Sequence, residues 1–245
     1  PSNNFQFNIE DFKANHILFD ANYQNSQFEI IAKEIPCVLI SGENWLLNQA
    51  YPAFDIFTGL QAHKKTMKNA FIAIKKRKNI ALIGFMGSGK TSLGKELAKK
   101  NNFQFIDIDR EIEKKEGISI NEIFKLKGED YFRKLEKDIL IQVLKKENQV
   151  ISCGGGIIND SENRDVLREK SLVLWLFSDV ISSIKRMQND KRPLLNVENK
   201  EEKAVNLFNE RKQYYAATCD IVFNTTNFNK VQLIKKIYEE ISFSI

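Results

Sequence analysis

The eight residues GFMGSGKT (84–91) constrain this chain more than any other feature. They fit G-x-x-x-x-G-K-[ST] and directly follow an apolar run, NIALI (79–83). They open a helical stretch, SLGKELAKK, with Leu93 and Leu97 on one face. Strand, glycine-rich turn and helix in that order make a phosphate cradle. Small residues let backbone N–H groups turn inward around phosphate oxygens, and the helix N-terminus adds a favourable dipole. Gly87, Ser88, Gly89, Lys90, Thr91 and Ser92 are therefore expected to wrap the phosphates of a nucleoside triphosphate. Lys90 should reach the β- and γ-phosphates, and the Thr91 hydroxyl should be a ligand of Mg2+. The motif does not name the acceptor.

From Asn79 onward short apolar runs alternate with helical stretches. The runs are NIALI, FQFID (103–107), QVISC (149–153), LVLWL (172–176) and DIVF (220–223). Each is apolar enough for a strand covered on both faces. Between them, Ser119 with Glu122 three residues on predicts a capping box, and Gly128 is placed to end that helix. Phe132, Leu135, Ile139 and Val143 line one helical face. The fold class that follows is α/β: a P-loop NTPase-type five-stranded parallel sheet with helices on both faces. A small N-terminal α/β fragment precedes it. There HILFDANY (16–23) and CVLI (37–40) read as strands, and residues 27–35, 42–59 and 60–76 read as helices. Pro52 predicts a kink or a restart inside the second of these helices. The basic run KKRK (75–78) is the expected junction, giving domains 1–76 and 77–245.

Several polar groups could serve an acceptor. Asp107 and Asp109 follow the second strand as DID, and alternation along a strand end would aim both at the carboxyl edge of the sheet. One can hold hydrated Mg2+; the other can hydrogen-bond a hydroxyl and take its proton. Arg133 and Glu136 are three apart on a helix, which by itself reads as a surface ion pair. SCGGG (152–156) permits close backbone approach to a ligand. RPLL (192–195) sits in a polar stretch between helices, where a lid would lie. Arg211 and Tyr215 are one helical turn apart, again a surface pair when taken alone.

Taken together and in this order, GFMGSGKT, DID, GISINEIF, GEDYFRKLE, SCGGG, RPLL and R-x-x-x-Y resemble shikimate kinase, from about residue 79 to the C-terminus. The resemblance implies ATP-dependent phosphorylation of the shikimate 3-hydroxyl in aromatic amino-acid biosynthesis, with Mg2+ as cofactor. It assigns the nucleotide to the glycine-rich loop, and the metal to Thr91 with Asp107 and Ser152 acting through water. Asp109 corresponds to the aspartate on the ring hydroxyls, Arg133 and Arg211 to the grip on the substrate carboxylate, and Glu136 to the residue orienting Arg133. Gly155 and Gly156 correspond to backbone contacts, Arg192 to the lid arginine over the transferred phosphate, and Arg186 to a second nucleotide contact. Lys90, Asp109 and Arg192 would carry the chemistry. One departure is plain: FNTTNFNK (223–230) lacks the arginine that many members pack on adenine.

The segment in front, FDANY (19–23) followed by GENWLLNQAYPAFDIFTG (42–59), resembles the C-terminal end of shikimate dehydrogenase over about residues 15–75. That family places the residues matching Tyr23 and Gln49 near shikimate; a packed tyrosine and a surface amide are the plainer reading here. No G-x-G-x-x-G follows a strand, so dehydrogenase activity is not expected. The leading reading is an active kinase from a dehydrogenase–kinase fusion truncated at its N-terminus; the start at Pro1 fits either a removed Met or a sequence cut from something longer. The front part would self-associate or meet the missing dehydrogenase half.

Composition closes off other classes. The net charge of +5 is spread along 245 residues, which does not point to nucleic acid. Cys37, Cys153 and Cys219 form no CxxC pair, excluding a disulfide framework or zinc site and fitting a cytoplasmic protein. No apolar run approaches a membrane span, and no signal peptide is visible. A kinase for another polyhydroxylated acid such as gluconate, and a non-catalytic scaffold on a kinase fold, remain as alternatives.

Overall fold

The computed structural model describes residues 8–21, 27–75, 77–186, 199–226 and 229–241. RPLL with Arg192, and Tyr23, lie outside them. The chain divides into two units, Pro1–Ile74 and Lys75–Ile245.

In the first unit, a 3-10 turn at Ile9–Asp11 leads to β1 (Ile17–Phe19), α1 (Gln27–Glu34) and β2 (Val38–Ile40), followed by α2 (Gly42–Thr58) and α3 (Lys64–Lys75). β1 and β2 pair in parallel, Leu18 opposite Leu39. Leu18 and Ile31 are buried, whereas Ile17, Phe19, Val38 and Ile40 are exposed. Strand alternation sorts these residues onto opposite faces. α2 starts at Ser41, whose hydroxyl accepts from the Asn44 N–H, and stops at Gly59 in the left-handed conformation. Of the two outcomes expected at Pro52, a kink or a restart, the restart does not occur: one helix spans Gly42–Thr58 with Pro52 inside it. The carbonyl that Pro52 leaves without a helical partner belongs to Asn48, which is exposed, so water can meet it. α3 begins four residues later than predicted, where His63 Nδ1 accepts from the Thr66 N–H at 3.3 Å.

The second unit contains β3 (Asn79–Ile83), α4 (Lys90–Asn101), β4 (Gln104–Asp107), α5 (Ile108–Glu116), α6 (Ile120–Val143), β5 (Gln149–Ser152), α7 (Ser161–Lys170), β6 (Ser171–Phe177), α8 (Val180–Arg186), α9 (Lys200–Thr218), β7 (Ile221–Asn224) and α10 (Lys230–Ile241). The sheet runs β4-β5-β3-β6-β7, and every pair is parallel. β3 is central and wholly buried. Its residues alternate between two cores. Ala81 and Ile83 join Ile108, Ile139, Leu140 and Leu167 on one face; Ile80 and Leu82 join Leu93, Leu97, Leu233 and Ile237 on the other. Both faces are covered, as a parallel sheet requires.

The predicted capping box is formed: the Ser119 hydroxyl accepts from the Glu122 N–H, and the Glu122 carboxylate accepts from the Ser119 N–H at 2.9 Å. Gly128 then takes φ 82° and ψ 173°, breaking α6 into two straight pieces. The order of the strands places the switch in chain direction at β3, so the carboxyl ends of β3, β4 and β5 open onto one crevice. Asp107 and Ser152 are cross-strand partners at that edge.

Candidate active site

The glycine-rich loop joins β3 to α4. Gly84, Gly87 and Gly89 take φ of 145°, 74° and 92°, which side chains adopt only under strain. Lys90 Nζ donates to the Gly84 and Phe85 carbonyls, both at 2.8 Å, so the ammonium lies across the loop. Sequence reasoning missed a brace behind it. Thr225, just past β7, donates its hydroxyl to the Ser88 carbonyl at 3.2 Å and to the Phe177 carbonyl at 3.1 Å. Arg186, at the end of α8, donates to the Thr225 and Thr226 carbonyls, each at 3.0 Å. The arginine expected on the nucleotide side therefore sits next to the residue that braces the phosphate loop.

Beside the loop three oxygen-bearing side chains meet. The Thr91 hydroxyl donates to Asp107 Oδ2 at 2.8 Å and lies 3.5 Å from the Ser152 hydroxyl. Two hydroxyls and a carboxylate are hard oxygen donors of the kind that suit partly hydrated Mg2+. Among the described residues no cluster of three His, Cys, Asp or Glu side chains could hold a metal instead. Asp109 is placed differently from its prediction. The strand ends at Asp107, and Asp109 lies in the first turn of α5. Ile108 turns into the core as the first helical residue, so helix geometry rather than strand alternation aims Asp109 at the crevice.

Asp109 lines a cleft together with Met86, Ile120, Phe124, Phe132, Arg133, Glu136, Gly154, Gly155, Gly156 and Arg211, with about 480 Å3 of empty space counted out to its open mouth. Four elements converge on it. α5 brings Asp109, α6 brings Arg133 and Glu136, the loop after β5 brings the three glycines, and α9 brings Arg211.

The surface-pair reading of Arg133 and Glu136 is overturned. Glu136 is 1% exposed, and its Oε2 accepts from Arg133 Nη1 at 2.7 Å. Glu129 Oε1 accepts from Arg133 Nη2 at 2.9 Å and from Nε at 3.2 Å. Burial works against the Arg133 charge, but Glu136 and Glu129 outweigh it, and its pKa is raised. Burial pushes Glu136 up to about 7 although Arg133 pulls the other way, and Asp109 adds to the rise. Glu136 Oε1 is buried without a hydrogen-bond partner among the described residues. The glycines are required by contact. A Cβ at Gly156 would lie 2.6 Å from both Nη atoms of Arg133, and one at Gly154 would lie 2.5 Å from Glu136 Oε1 and 3.0 Å from Asp109 Oδ1.

Arg211 and Tyr215 are likewise buried, at 4% and 0% exposure, not a surface pair. Both reach the Gly155 carbonyl, Tyr215 Oη at 2.5 Å and Arg211 Nη1 at 3.3 Å. Burial, with Arg133 adding to it, lowers the Arg211 pKa. Cys153, next to Gly154, is buried and its thiol is pushed up by desolvation, which keeps it unreactive.

Comparison with known proteins follows this geometry. The shikimate kinase family model matches residues 86–242. Shikimate kinase of Persephonella marina is 45% identical over 161 residues, 65% of this chain and 96% of that protein. The enzyme of Francisella philomiragia is 41% identical over 162 residues, 65% of this chain and 92% of that protein. Among solved structures, shikimate kinase from Acinetobacter baumannii in complex with shikimate superposes with a TM-score of 0.66 at 35% identity, covering 70% of this chain and 97% of that one. Shikimate kinase from Aquifex aeolicus gives 0.60 at 36% identity, covering 67% and 96%. The family model's match lies within the second unit, and none of these comparisons supports the dehydrogenase resemblance of the first.

Proposed function

The chain belongs to the shikimate kinase family and phosphorylates shikimate, and on that premise we propose how its residues divide the reaction among them. The observation that carries the assignment is the convergence of Asp109, Arg133, Glu136 and Arg211 on one cleft beside the phosphate loop.

ATP lies with its phosphates on residues 87–92, its β- and γ-oxygens met by backbone N–H groups and by Lys90. Lys90 then exchanges the Gly84 and Phe85 carbonyls for phosphate oxygens. Thr91, Asp107 and Ser152 hold Mg2+, directly or through water. When bound, the ion offsets charge on the phosphate oxygens. Arg186 attends the nucleotide from the far side of the Thr225 brace, and Arg192, outside the described residues, is assigned the transferred phosphate from the family resemblance.

Arg133 and Arg211 grip the shikimate carboxylate, a task suited to planar guanidinium forks. Glu136 fixes the direction of the first fork. The backbone at Gly155 and Gly156 closes against the ring. The carboxylate fixed at one end leaves the 3-hydroxyl at Asp109. That hydroxyl oxygen forms the new bond to the γ-phosphorus as the bond to ADP breaks, and its proton passes to Asp109. Most of the rate comes from alignment and from neutralised charge. The division of roles is tested by Arg133→Ala and Arg211→Ala. Each should raise the shikimate KM at least tenfold and leave the ATP KM in place. An unchanged shikimate KM in both would remove the acceptor assignment.

For residues 1–76 we propose a separate domain, 77–245 being the kinase, that derives from the C-terminal end of a shikimate dehydrogenase. The parallel β-α-β order and the GENWLLNQAYPAFDIFTG helix support this reading. Its exposed Ile17, Phe19, Val38 and Ile40 would be covered by a second copy or by a dehydrogenase half absent from these residues. Light scattering on the full chain and on a version starting at Arg77 separates the cases. Association lost with the first unit supports self-association, and equal mass per chain in both argues against it. We place the enzyme in the cytoplasm, where Cys37, Cys153 and Cys219 stay free thiols. Among the described residues no helix is long and apolar enough to cross a membrane.

A further inference from the structure

Tyr215 has no place in the division of roles above, yet it is bonded to Gly155, which lines the acceptor cleft. It is wholly buried on α9, and its ring stacks on Trp175 of β6 at 5.6 Å and 22°. Its hydroxyl donates to the Gly155 carbonyl at 2.5 Å. Gly155 is the meeting point of the two half-sites. A Cβ there would touch Met86 N at 3.6 Å, the Gly84 carbonyl at 3.7 Å and Tyr215 Oη at 3.8 Å. The first two belong to the phosphate loop.

The same carbonyl also draws on Arg211, whose Nη1 reaches it at the longer distance of 3.3 Å. A half-buried carbonyl that loses its shorter donor turns to the nearest one available. With the tyrosine oxygen in place, Arg211 meets the carbonyl only loosely. Without it, Arg211 Nη1 is the remaining side-chain donor at that carbonyl among the described residues. The guanidinium is a rigid fork, so turning one nitrogen fully onto Gly155 rotates the others away from the cleft.

We propose that Tyr215 is a positioning residue for the acceptor: its hydroxyl holds the Gly155 carbonyl in register with the phosphate loop and keeps the Arg211 fork turned toward the acceptor carboxylate. Burial raises the phenol's pKa, so it stays a donor across the working pH range. The inference rests on the assignment of Arg211 to that carboxylate.

The test is steady-state kinetics of the full chain as Tyr215→Phe, which deletes one oxygen and keeps the ring. The shikimate KM should rise roughly tenfold, the loss expected for one buried hydrogen bond and a misdirected fork, while the ATP KM stays unchanged. Trp175→Phe keeps the hydroxyl and alters only the stacking, and its shikimate KM should stay near that of the wild type. An unchanged shikimate KM in Tyr215→Phe, an equal rise in the ATP KM, or the same rise in Trp175→Phe would overturn the proposal. Arg211→Ala distinguishes the underlying reading. A raised shikimate KM there without one in Tyr215→Phe contradicts this inference alone. An unchanged KM in Arg211→Ala contradicts the assignment of Arg211, and the inference with it.

Discussion

Glu136 gives one oxygen to Arg133 and keeps the other without a hydrogen-bond partner among the described residues: Oε2 accepts from Nη1 at 2.7 Å, while Oε1 is buried and unmet by them. A buried carboxylate half satisfied in this way resists ionisation. Burial raises it from the ordinary 4.5 to about 7, against the pull of Arg133 and with help from Asp109. The folded protein therefore holds this proton where the unfolded chain has lost it. The stabilising contribution is present below the unfolded value and is lost as pH rises through about 7. The Glu136 Cδ carbon resonance should titrate with a midpoint near 7 in ligand-free protein. Glu136→Gln should gain stability relative to wild type between pH 5 and pH 8, by up to about 3 kcal/mol. A midpoint in the usual carboxylate range would contradict the burial argument.

Gly156 is held to glycine by the arginine beside it. A Cβ would stand 2.6 Å from both Arg133 Nη atoms, so Gly156→Ala must displace the guanidinium. The expected result is a shikimate KM raised about tenfold or more, with the ATP KM unchanged, because a misplaced fork loses a charge-assisted bond. Equal KM values for both substrates in variant and wild type would mean that Arg133 is free to move aside.

Asp107 accepts from Thr91 at 2.8 Å, and this pair with Ser152 is the set assigned to Mg2+. Asp107→Asn removes the only charge among the three. The Mg2+ concentration for half-maximal rate should rise about tenfold or more, the loss typical of removing a group that holds a metal through its bound water. Chelation of divalent cations should stop turnover of the wild type. An unaltered Mg2+ requirement in Asp107→Asn would move the metal elsewhere.

Thr225 braces the phosphate loop from the last strand, its hydroxyl on the Ser88 carbonyl at 3.2 Å. Thr225→Val keeps the shape and loses the donor, so the ATP KM should rise several-fold while the shikimate KM stays in place. Thr225→Ser keeps the donor and should restore the wild-type value. Matching ATP KM values in the valine and serine variants would reduce Thr225 to packing.

Much of this architecture was legible in the sequence because it depends on local pattern. Five apolar runs, the capping box at Ser119 and the glycine-rich turn at 84–91 each carry their signal within a few residues. What depended on distant contacts was not legible. The spacing of Arg133 and Glu136 is the same for a solvated pair and a buried one. Gly154 and Gly156, which arrive on the loop after β5, leave room for those side chains. Arg211 and Tyr215 show only a helical spacing until α9 docks them on Gly155. Thr225 and Ser88 lie at opposite ends of the kinase unit's sequence, and nothing local announces their bond. Asp109 was assigned the right crevice by the wrong geometry, since the strand gives way to helix one residue earlier than alternation assumed.

The most direct measurement is a coupled ADP-release assay on the full chain with Mg2+ and ATP, comparing shikimate with gluconate. The account expects saturable ADP release with shikimate and, for gluconate, a kcat/KM lower by at least about a hundredfold, because the cleft fixes one carboxylate against one hydroxyl. ADP release that is absent with shikimate, or equal for the two acids, would contradict it.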